Sequence, residues 1–488
     1  MWLKQFKMYK VSGLMMIFFM LLFYLVHTGC LEQKINSSVS KEKGGKERSP
    51  ENNYKNYCSG CHGEQMDMFV DRKWKHGNLK ENLFYSIKSG WPDEGMPGFD
   101  TTFNDDEINE LTDYILNGIN NVKKYDFKDV SLQSSLFTSA SQDIRLDTVV
   151  AGLKVPWGMA FLPDGEMLVT ERSGKLYRLT RSRDLQNIEG VPEVLAEGQG
   201  GLLDIALHPE FSTNHLIYFS YSLPKKTDSL TLATTAVMRA RLDGNKLTEQ
   251  KNVFVALPFS RTRHHFGSRL QFGKDGMLYI SVGERGNEKG NPQNINNSLG
   301  KIHRIRDDGS IPADNPFVNQ ENAVPSIYSY GHRNPQGMTL NPATGEIWIN
   351  EHGPRGGDEI NIIGKGKNYG WPVITYGINY NGVPITNLTK KEGMEQPELY
   401  WVPSIAPSGM TFVTGDRYKN WKGDILVGSL RFKYLNRCKI KNNKITSEEM
   451  LLKNIGRLRD VRMGPDGYIY VSVESPGAIF RLVPVKKK

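Results

Sequence analysis

The chain has 488 residues, 62 Lys and Arg against 53 Asp and Glu, a formal net charge of +9 and four cysteines. That length exceeds one ordinary domain, and the stretch after Gln142 is long enough to bury a large core. The positive charge is spread over an N-terminal tether, a Lys486-Lys487-Lys488 tail and the general surface, with no basic patch of interleaved aromatics. The composition therefore argues against a nucleic-acid partner and allows at most weak attraction to anionic lipid.

At the N-terminus, Lys4, Lys7 and Lys10 precede an apolar run from Val11 to Val26, the charged-then-apolar layout of a secretory signal. The run ends at His27-Thr28-Gly29-Cys30, which resembles a bacterial lipoprotein cleavage site, with His27 where an aliphatic residue is usual. The resemblance implies that residues 1–30 are a signal peptide and that Cys30 becomes the lipidated first residue, a membrane anchor. An uncleaved anchor helix is the alternative, but the run is short for a full span. Residues 31–48 are rich in Lys, Glu, Ser and Gly without apolar period and read as a flexible tether. The body of the chain is expected outside the inner membrane, in the periplasm or outer cell envelope.

Cys58-Ser59-Gly60-Cys61-His62 follows. Two cysteines at this spacing can bond both vinyl groups of a haem, leaving His62 beneath the ring as an iron ligand. A zinc site would need a fourth ligand, and neither Cys30 nor Cys438 lies nearby in sequence. A thioredoxin-like dithiol would need a strand-turn-helix lead-in, which is missing. The second iron ligand is expected to be Met96 in Gly95-Met96-Pro97-Gly98, where proline stiffens the loop and the glycines allow close passage. Met66 and Met68 come too soon after His62 to cross to the other haem face and read as packing; His76 is a weaker rival, read as a surface loop residue. Ser49-Pro50 starts a helix, and Asn104-Asp105-Asp106-Glu107 caps another whose Ile108, Leu111, Ile115 and Ile119 form an apolar stripe. Residues 49–121 together resemble a small all-α class I cytochrome c domain.

Residues 122–142 are serine-rich and read as a linker. Beyond them a pattern recurs: Pro163-Asp164-Gly165-Glu166-Met167, Lys274-Asp275-Gly276-Met277, Ala343-Thr344-Gly345-Glu346 and Pro465-Asp466-Gly467-Tyr468, each a tight turn before a short β-rich run. Repeated short antiparallel units of this kind argue for an all-β propeller over a large β-sandwich. Four unusual clusters interrupt the repeats: Gly198 to Leu203, His264 to Leu270, Gly331 to Gly337 and Asn350 to Asn361. Arg431, Arg457 and Arg459 come later. At one mouth of a propeller they would assemble a histidine base, several guanidiniums and bare carbonyls, a set suited to a polyanionic cofactor with a metal.

From about Asp147 to Val483, and most specifically through the last two clusters and Lys367-Asn368-Tyr369-Gly370-Trp371-Pro372, the chain resembles the soluble PQQ-dependent aldose sugar dehydrogenases, relatives of soluble glucose dehydrogenase. The resemblance implies a six-bladed β-propeller over 143–485. It implies His265 as base, Glu284 as its acidic orienter and Arg333 as a third catalytic residue, with Gln199 and Asn334 at the cofactor and Tyr380, Arg457 and Arg459 as further contacts. Gly353 and Pro354 carbonyls would hold cofactor-bound Ca²⁺, and Glu359 and Tyr369 match a second, structural calcium site. Arg431 stands where the family carries lysine; it keeps a positive charge and a fork of donors.

The chemistry so implied is oxidation of an aldose at the C1 hydroxyl to a lactone. PQQ would be the hydride acceptor, and haem c would collect the electrons for a downstream cytochrome or respiratory-chain component. The rival readings are a calcium-stabilised propeller that binds carbohydrate or protein without turnover, and a lactone-hydrolysing propeller. His265, Gln199 and the Arg333-Asn334 pair argue against the first, and the fused haem motif against the second, since hydrolysis needs no electron outlet. His264 reads as a surface or structural residue, His303 as packing, Glu351 and His352 as supports, Asp358 as supporter or ligand, and Cys438 as a buried free thiol.

Overall fold

Four-stranded antiparallel sheets account for most of the chain in the computed structural model, which describes residues 48–62, 66, 74–122, 134–286 and 288–485. Five sheets have four strands in up-and-down order, with Pro156–Phe161, Leu202–Leu207, Leu270–Phe272, Pro335–Leu340 and Pro407–Phe412 innermost. The sixth starts with Leu458–Met463, Ile469–Val473 and Ala478–Val485 and is completed from the other end of the domain by Asp143–Ala151. Successive innermost strands pack on one another, and the last packs on the first. The result is the expected six-bladed propeller rather than a sandwich, its ring closed by pairing the chain's early strand with its last.

The recurring turns form as expected. Asp164, Asp275 and Asp466 each accept a backbone N–H two residues on (2.9, 3.1 and 3.1 Å). Each turn leads into the second strand of its blade. These five-residue strands, among them Met167–Glu171, Leu278–Val282, Ile347–Glu351 and Ile469–Val473, are buried throughout. They are covered on both faces by neighbouring blades, which is why they read as continuous apolar runs instead of alternating ones. Each Leu, Ile or Val so buried contributes about 1.5–3 kcal/mol.

A second repeat marks the axis. Three innermost strands begin Pro-x-Gly-Met: Pro156 to Met159, Pro335 to Met338 and Pro407 to Met410. Their glycines have neighbouring strands against them. A Cβ on Gly158 would meet Asp204 Oδ1 at 2.9 Å, one on Gly337 the Ser408 carbonyl at 2.3 Å, and one on Gly409 Asp460 Oδ1 at 2.3 Å. Charged groups fill the axis. Arg269 Nη1 reaches Asp460 (2.9 Å) and Asp204 (3.2 Å), and Arg462 bonds the same two carboxylates (2.9 and 2.7 Å). Four side chains from three blades are thus locked together in a nearly dry interior.

The segment expected as linker differs in its last part. Leu136–Phe137 adds a fifth strand to the closing blade, Ala140 N–H donates to Glu449, and Trp421 Nε1 donates to Ser141 Oγ. A few apolar and hydroxyl groups suffice to tie that stretch to the blade edge.

Ahead of it lie short helices Pro50–Asn53 and Ser59–His62 and longer ones Lys80–Ser89 and Asp105–Val122. Asn52 N–H donates to Ser49 Oγ (3.2 Å), and Asn104 and Glu107 form a reciprocal capping box (2.9 and 3.0 Å). Ile108, Leu111 and Ile115 are buried with Tyr54, Cys58, Met66, Leu83, Phe99 and Phe103, and Met96 and Ile119 pack on that cluster. Residues 53–488 form one compact unit. Cys30, residues 31–47 of the tether and Met68 lie outside the described residues, among which no helix is long and apolar enough to cross a membrane.

Candidate active site

In an antiparallel blade the start of the first strand and the end of the second lie at the same end of the propeller. The unusual clusters gather at those positions, the fourth running on into the third strand of its blade, Asp358–Ile362. Gln199, His265, Arg333 and Arg457 precede innermost strands, while Glu284, His352 and Arg431 follow second strands. Residues as far apart in sequence as Gln199 and Arg457 are thereby brought to one mouth.

His265 stands at its centre, 7 % exposed and in the left-handed region at φ +56°. A non-glycine residue held there costs about 1–2 kcal/mol, so the surroundings must over-determine it. They do. His265 N–H donates to Gln199 Oε1 (2.8 Å), its carbonyl accepts from Arg285 Nη1, and Nδ1 lies 2.7 Å from Glu284 Oε1. The Glu284 contact assigns the ring proton to Nδ1 and leaves the lone pair on Nε2. Burial, with Arg333 beside it, holds the imidazole well below its usual pKa, so it is neutral and able to accept a proton. Burial raises Glu284 to about 8, against the pull of Arg333.

Arg333 and Asn334 flank this pair. Arg333 Nη1 donates to the carbonyls of His352 (3.0 Å) and Gly353 (2.8 Å), and its guanidinium lies 5.3 Å from the Trp371 ring. Asn334 Oδ1 accepts from Gly267 N–H (3.1 Å), while its buried Nδ2 has no partner. Glu351 supports Arg333 from behind: it accepts Arg333 N–H (2.7 Å), His332 Nδ1 (3.0 Å) and Asn361 Nδ2 (3.2 Å). His352 donates Nε2–H to the Pro407 carbonyl (2.7 Å) and is held neutral by burial. Both are supports, as their positions suggested.

Across the mouth Arg457 and Arg459 share Glu474 (3.0 and 2.5 Å). Burial alone would raise Glu474, but the two guanidiniums hold it down at about 2. Arg431 reaches the Ser404 carbonyl (3.3 Å), and Tyr380 is half-buried on the loop before the strand Leu399–Trp401. Arg457 and Arg459 on one strong carboxylate, with Arg457 reaching the Leu430 carbonyl beside Arg431 and with Arg333 and the unpartnered Asn334 amide at the same mouth, offer donors suited to a polyanion.

The calcium expectations meet a mixed geometry. Glu359 lines a small cavity with Glu351, Arg333, Gly353, Tyr369 and Trp371, with room for about one water-sized body. Burial and the neighbouring Glu351 raise Glu359 to about 8, the condition of a carboxylate placed for a cation. Tyr369 OH is already engaged by the Ile362 carbonyl (2.5 Å) and Gly364 N–H (2.8 Å), which leaves its backbone oxygen to offer. Asp358 takes four donors, from Gly353, Ser404, Ile405 and Ala406, and so is an anchor for the loop carrying the buried Gly353 and Pro354. Among the described residues no three His, Cys, Asp or Glu side chains cluster as a metal site, so any cation here would depend on backbone oxygens.

Several residues went unread. Arg285 clamps His265, Lys289 lies close enough to Glu284 for their charges to interact, and Glu474 pairs the arginines. His264 is not a surface residue. It is 7 % exposed and packs edge-on against His265, with ring centres 4.8 Å apart. His303, bonded by Ser326 and Ser298, is packing, and Cys438 is a buried free thiol, as expected. His76 is a surface residue stacked on Trp91 and paired with Glu94.

Residues 153–481 match the family of glucose / sorbosone dehydrogenases, and residues 45–115 match that of cytochrome c oxidase, cbb3-type, subunit III. The chain belongs to the glucose/sorbosone dehydrogenase family. It carries a cytochrome c domain ahead of the dehydrogenase propeller. Aldose sugar dehydrogenase YliI of Escherichia coli is 43% identical over 359 residues, covering 72% of this chain and 96% of its own length. The crystal structure of the soluble aldose sugar dehydrogenase of Escherichia coli in its apo-form superposes with a TM-score of 0.66, at 41% identity, over 70% of this chain and 100% of that one. The PQQ-bound form of aldose sugar dehydrogenase from Streptomyces coelicolor does so at 0.59 and 28% identity, over 71% and 99%. The mouth just described is therefore the candidate active site of a sugar dehydrogenase.

Proposed function

We propose that this dehydrogenase oxidises the C1 hydroxyl of an aldose to the lactone, with PQQ at the arginine-bearing mouth and a covalent haem c collecting the electrons. The observation that carries the reading is His265, neutral and aimed by Glu284, beside the guanidinium of Arg333 at a mouth that also gathers Arg431, Arg457 and Arg459. PQQ, when bound, supplies the acceptor for the C1 hydride. Gln199, Asn334, Tyr380 and the arginines would hold it; the carbonyls of Gly353 and Pro354 would hold its Ca²⁺ once Arg333 releases Gly353. Glu359 and the Tyr369 backbone would hold a second Ca²⁺.

The chain's own residues do the rest. His265 Nε2 takes the C1 hydroxyl proton as the hydride leaves. Glu284, 2.7 Å from Nδ1, stabilises the imidazolium that forms. Burial keeps water from competing for that proton and strengthens every charge interaction in the mouth.

In the cytochrome domain, Cys58 and Met96 reach the same apolar cluster, and His62 ends the helix that carries the motif. This arrangement suits attachment through Cys58 and Cys61 with His62 and Met96 on the iron. Export to the periplasm or outer envelope on a lipid at Cys30 completes the proposal; a downstream cytochrome or respiratory component is the electron outlet.

The test is reconstitution of haem-bearing protein with PQQ and calcium, followed by a panel of aldoses read through haem absorbance and lactone formation. Sugar-dependent haem reduction with equimolar lactone is expected. Sugar binding without any reduction of PQQ would identify a binding propeller instead.

A further inference from the structure

The cytochrome domain touches three loops of the mouth, and two of the contacts flank segments that would ligate the haem. Tyr57, next to Cys58, lies under the Arg355 guanidinium, 4.3 Å from its ring centre. Asp93 and Gly95, in the turn that leads to Met96, meet Arg261 and His264. The Asp93–Arg261 pair is 2.7 Å long, with side chains 47% and 67% exposed. Thr102 Oγ1 donates to the Asn381 carbonyl (2.6 Å), beside Tyr380.

His264 is the centre of this contact. Its imidazole lies between two glycines, one from each domain. A Cβ on Gly286 would fall 1.7 Å from His264 Nε2, and one on Gly95 3.3 Å from Nδ1. Nδ1 is buried without a hydrogen-bond partner, and the other side of the ring packs against His265. One side chain thus spans from the base to the turn carrying Met96. That turn is itself rigid: Trp91 and Met96 exchange backbone hydrogen bonds (2.7 and 3.1 Å) around a left-handed Gly95.

We propose that the Trp91–Met96 turn is the docking edge through which the cytochrome receives electrons, seated on Arg261 and on His264 as positioning residue. The proposal rests on the reading that sugar oxidation feeds the haem. Each aldose gives up two electrons and two protons, and one haem iron takes one electron, going from ferric to ferrous. The second electron leaves only after an external one-electron acceptor reoxidises that iron. A small, partly charged contact fits such repeated, reversible service. The exposed Asp93–Arg261 pair gives it direction rather than strength, and salt should weaken it.

The experiment uses the full chain with haem, PQQ and calcium, in four forms: wild type, Arg261→Glu, Asp93→Arg and the exchanged double variant. Anaerobic stopped-flow at low salt follows PQQ reduction and haem reduction separately, and hydrogen exchange follows the amides of residues 91–96. Each single reversal should slow haem reduction roughly fivefold, leave sugar-driven PQQ reduction within about twofold of wild type, and expose the 91–96 amides. The exchanged pair should restore both haem reduction and protection. Unchanged haem reduction in the single variants, or no recovery in the double, overturns the docking edge. If PQQ is never reduced, the sugar-oxidation reading fails instead. Hydrogen exchange then decides alone: protection lost and recovered upholds the seat, and protection unaltered overturns it.

Discussion

The two ends of the propeller are built on opposite terms. One end carries the turns at Asp164-Gly165, Asp275-Gly276, Thr344-Gly345 and Asp466-Gly467, repeated, solvent-exposed and closed by local hydrogen bonds. The other carries His265, Glu284, Arg285, Arg333 and Asn334, each used once, buried, and held by bonds that reach 18 to 67 positions along the chain. The repeated end makes blades and can be the same six times. The unique end is where the blades stop being equivalent, because a ligand needs different groups at different points of its edge. Within it, His265, Ser268 and Arg285 are held in left-handed backbone around the buried base. Function lives in the departures from the repeat, and substitutions should divide accordingly.

The largest effect is expected at His265. His265→Ala removes the group that takes the substrate proton, and general-base catalysis commonly supplies about 10²–10⁴-fold. Turnover with an artificial acceptor should fall by that factor, with the haem spectrum and melting temperature nearly unchanged. A residual rate within tenfold of wild type would take the base role from His265.

Next comes Asp460, which belongs to the axis and not to either end. Asp460→Ala leaves Arg269 and Arg462 buried with Asp204 alone between them, and breaking a buried pair in this way costs about 3–5 kcal/mol. Denaturant unfolding should show a loss of that size. A loss under about 1 kcal/mol would mean that water reaches the axis and screens the arginines.

Glu284→Gln tests how the mouth sets proton affinity. Burial lifts Glu284 to about 8, and burial with Arg333 drives His265 well down. Below about 8 the carboxyl holds a proton and cannot balance an imidazolium; above it the carboxylate is charged and can. In the wild-type enzyme kcat/KM should therefore rise with pH through about 8. With glutamine no carboxyl titrates there, so the limb should drop below the 6.5 of a free imidazole while the plateau rate falls. An unmoved limb would place the titrating group elsewhere.

These differences also explain what could be read before the fold was known. The three Asp-Gly turns and the Thr344-Gly345 turn are local, so four of the six blades announced themselves in the sequence. His265 and the Arg333-Asn334 pair could be singled out because their neighbours form long, unusual strings, and Glu284 because it follows the Val282-Gly283 strand end. Glu474 and Arg285 were missed because each is a single charged residue whose meaning comes from a partner brought by the ring: Arg459 for one, Thr235 and the His265 carbonyl for the other. His264 stays open between a surface and a structural reading for a related reason. Two adjacent histidines look polar, and only Gly286 and Gly95 closing on the ring bury it. The Pro-x-Gly-Met repeat at the axis was present in the sequence three times. Its purpose, room for the next blade's carboxylate or carbonyl, appears only when the strands are side by side.

The smallest effect should come from the repeated end. Asp164→Ala removes one acceptor, for the Glu166 N–H at 2.9 Å, in an exposed turn where water can take its place. Arg181 bonds the Asp164 carbonyl rather than the side chain, and Arg178 keeps Glu166 as its nearer partner (2.5 Å against 3.5 Å), so both survive the change. The loss should be at most about 0.5–1.5 kcal/mol. Sugar oxidation should stay within about twofold of wild type, because the turn lies a full strand length from the mouth and positions nothing there. Gly165→Ala should cost about as much again through its φ of +88°, still without touching kcat/KM. If either change slowed sugar oxidation tenfold while the protein remained folded, the two ends would be coupled through the blade. The division between a repeated scaffold end and a unique catalytic end would then be wrong.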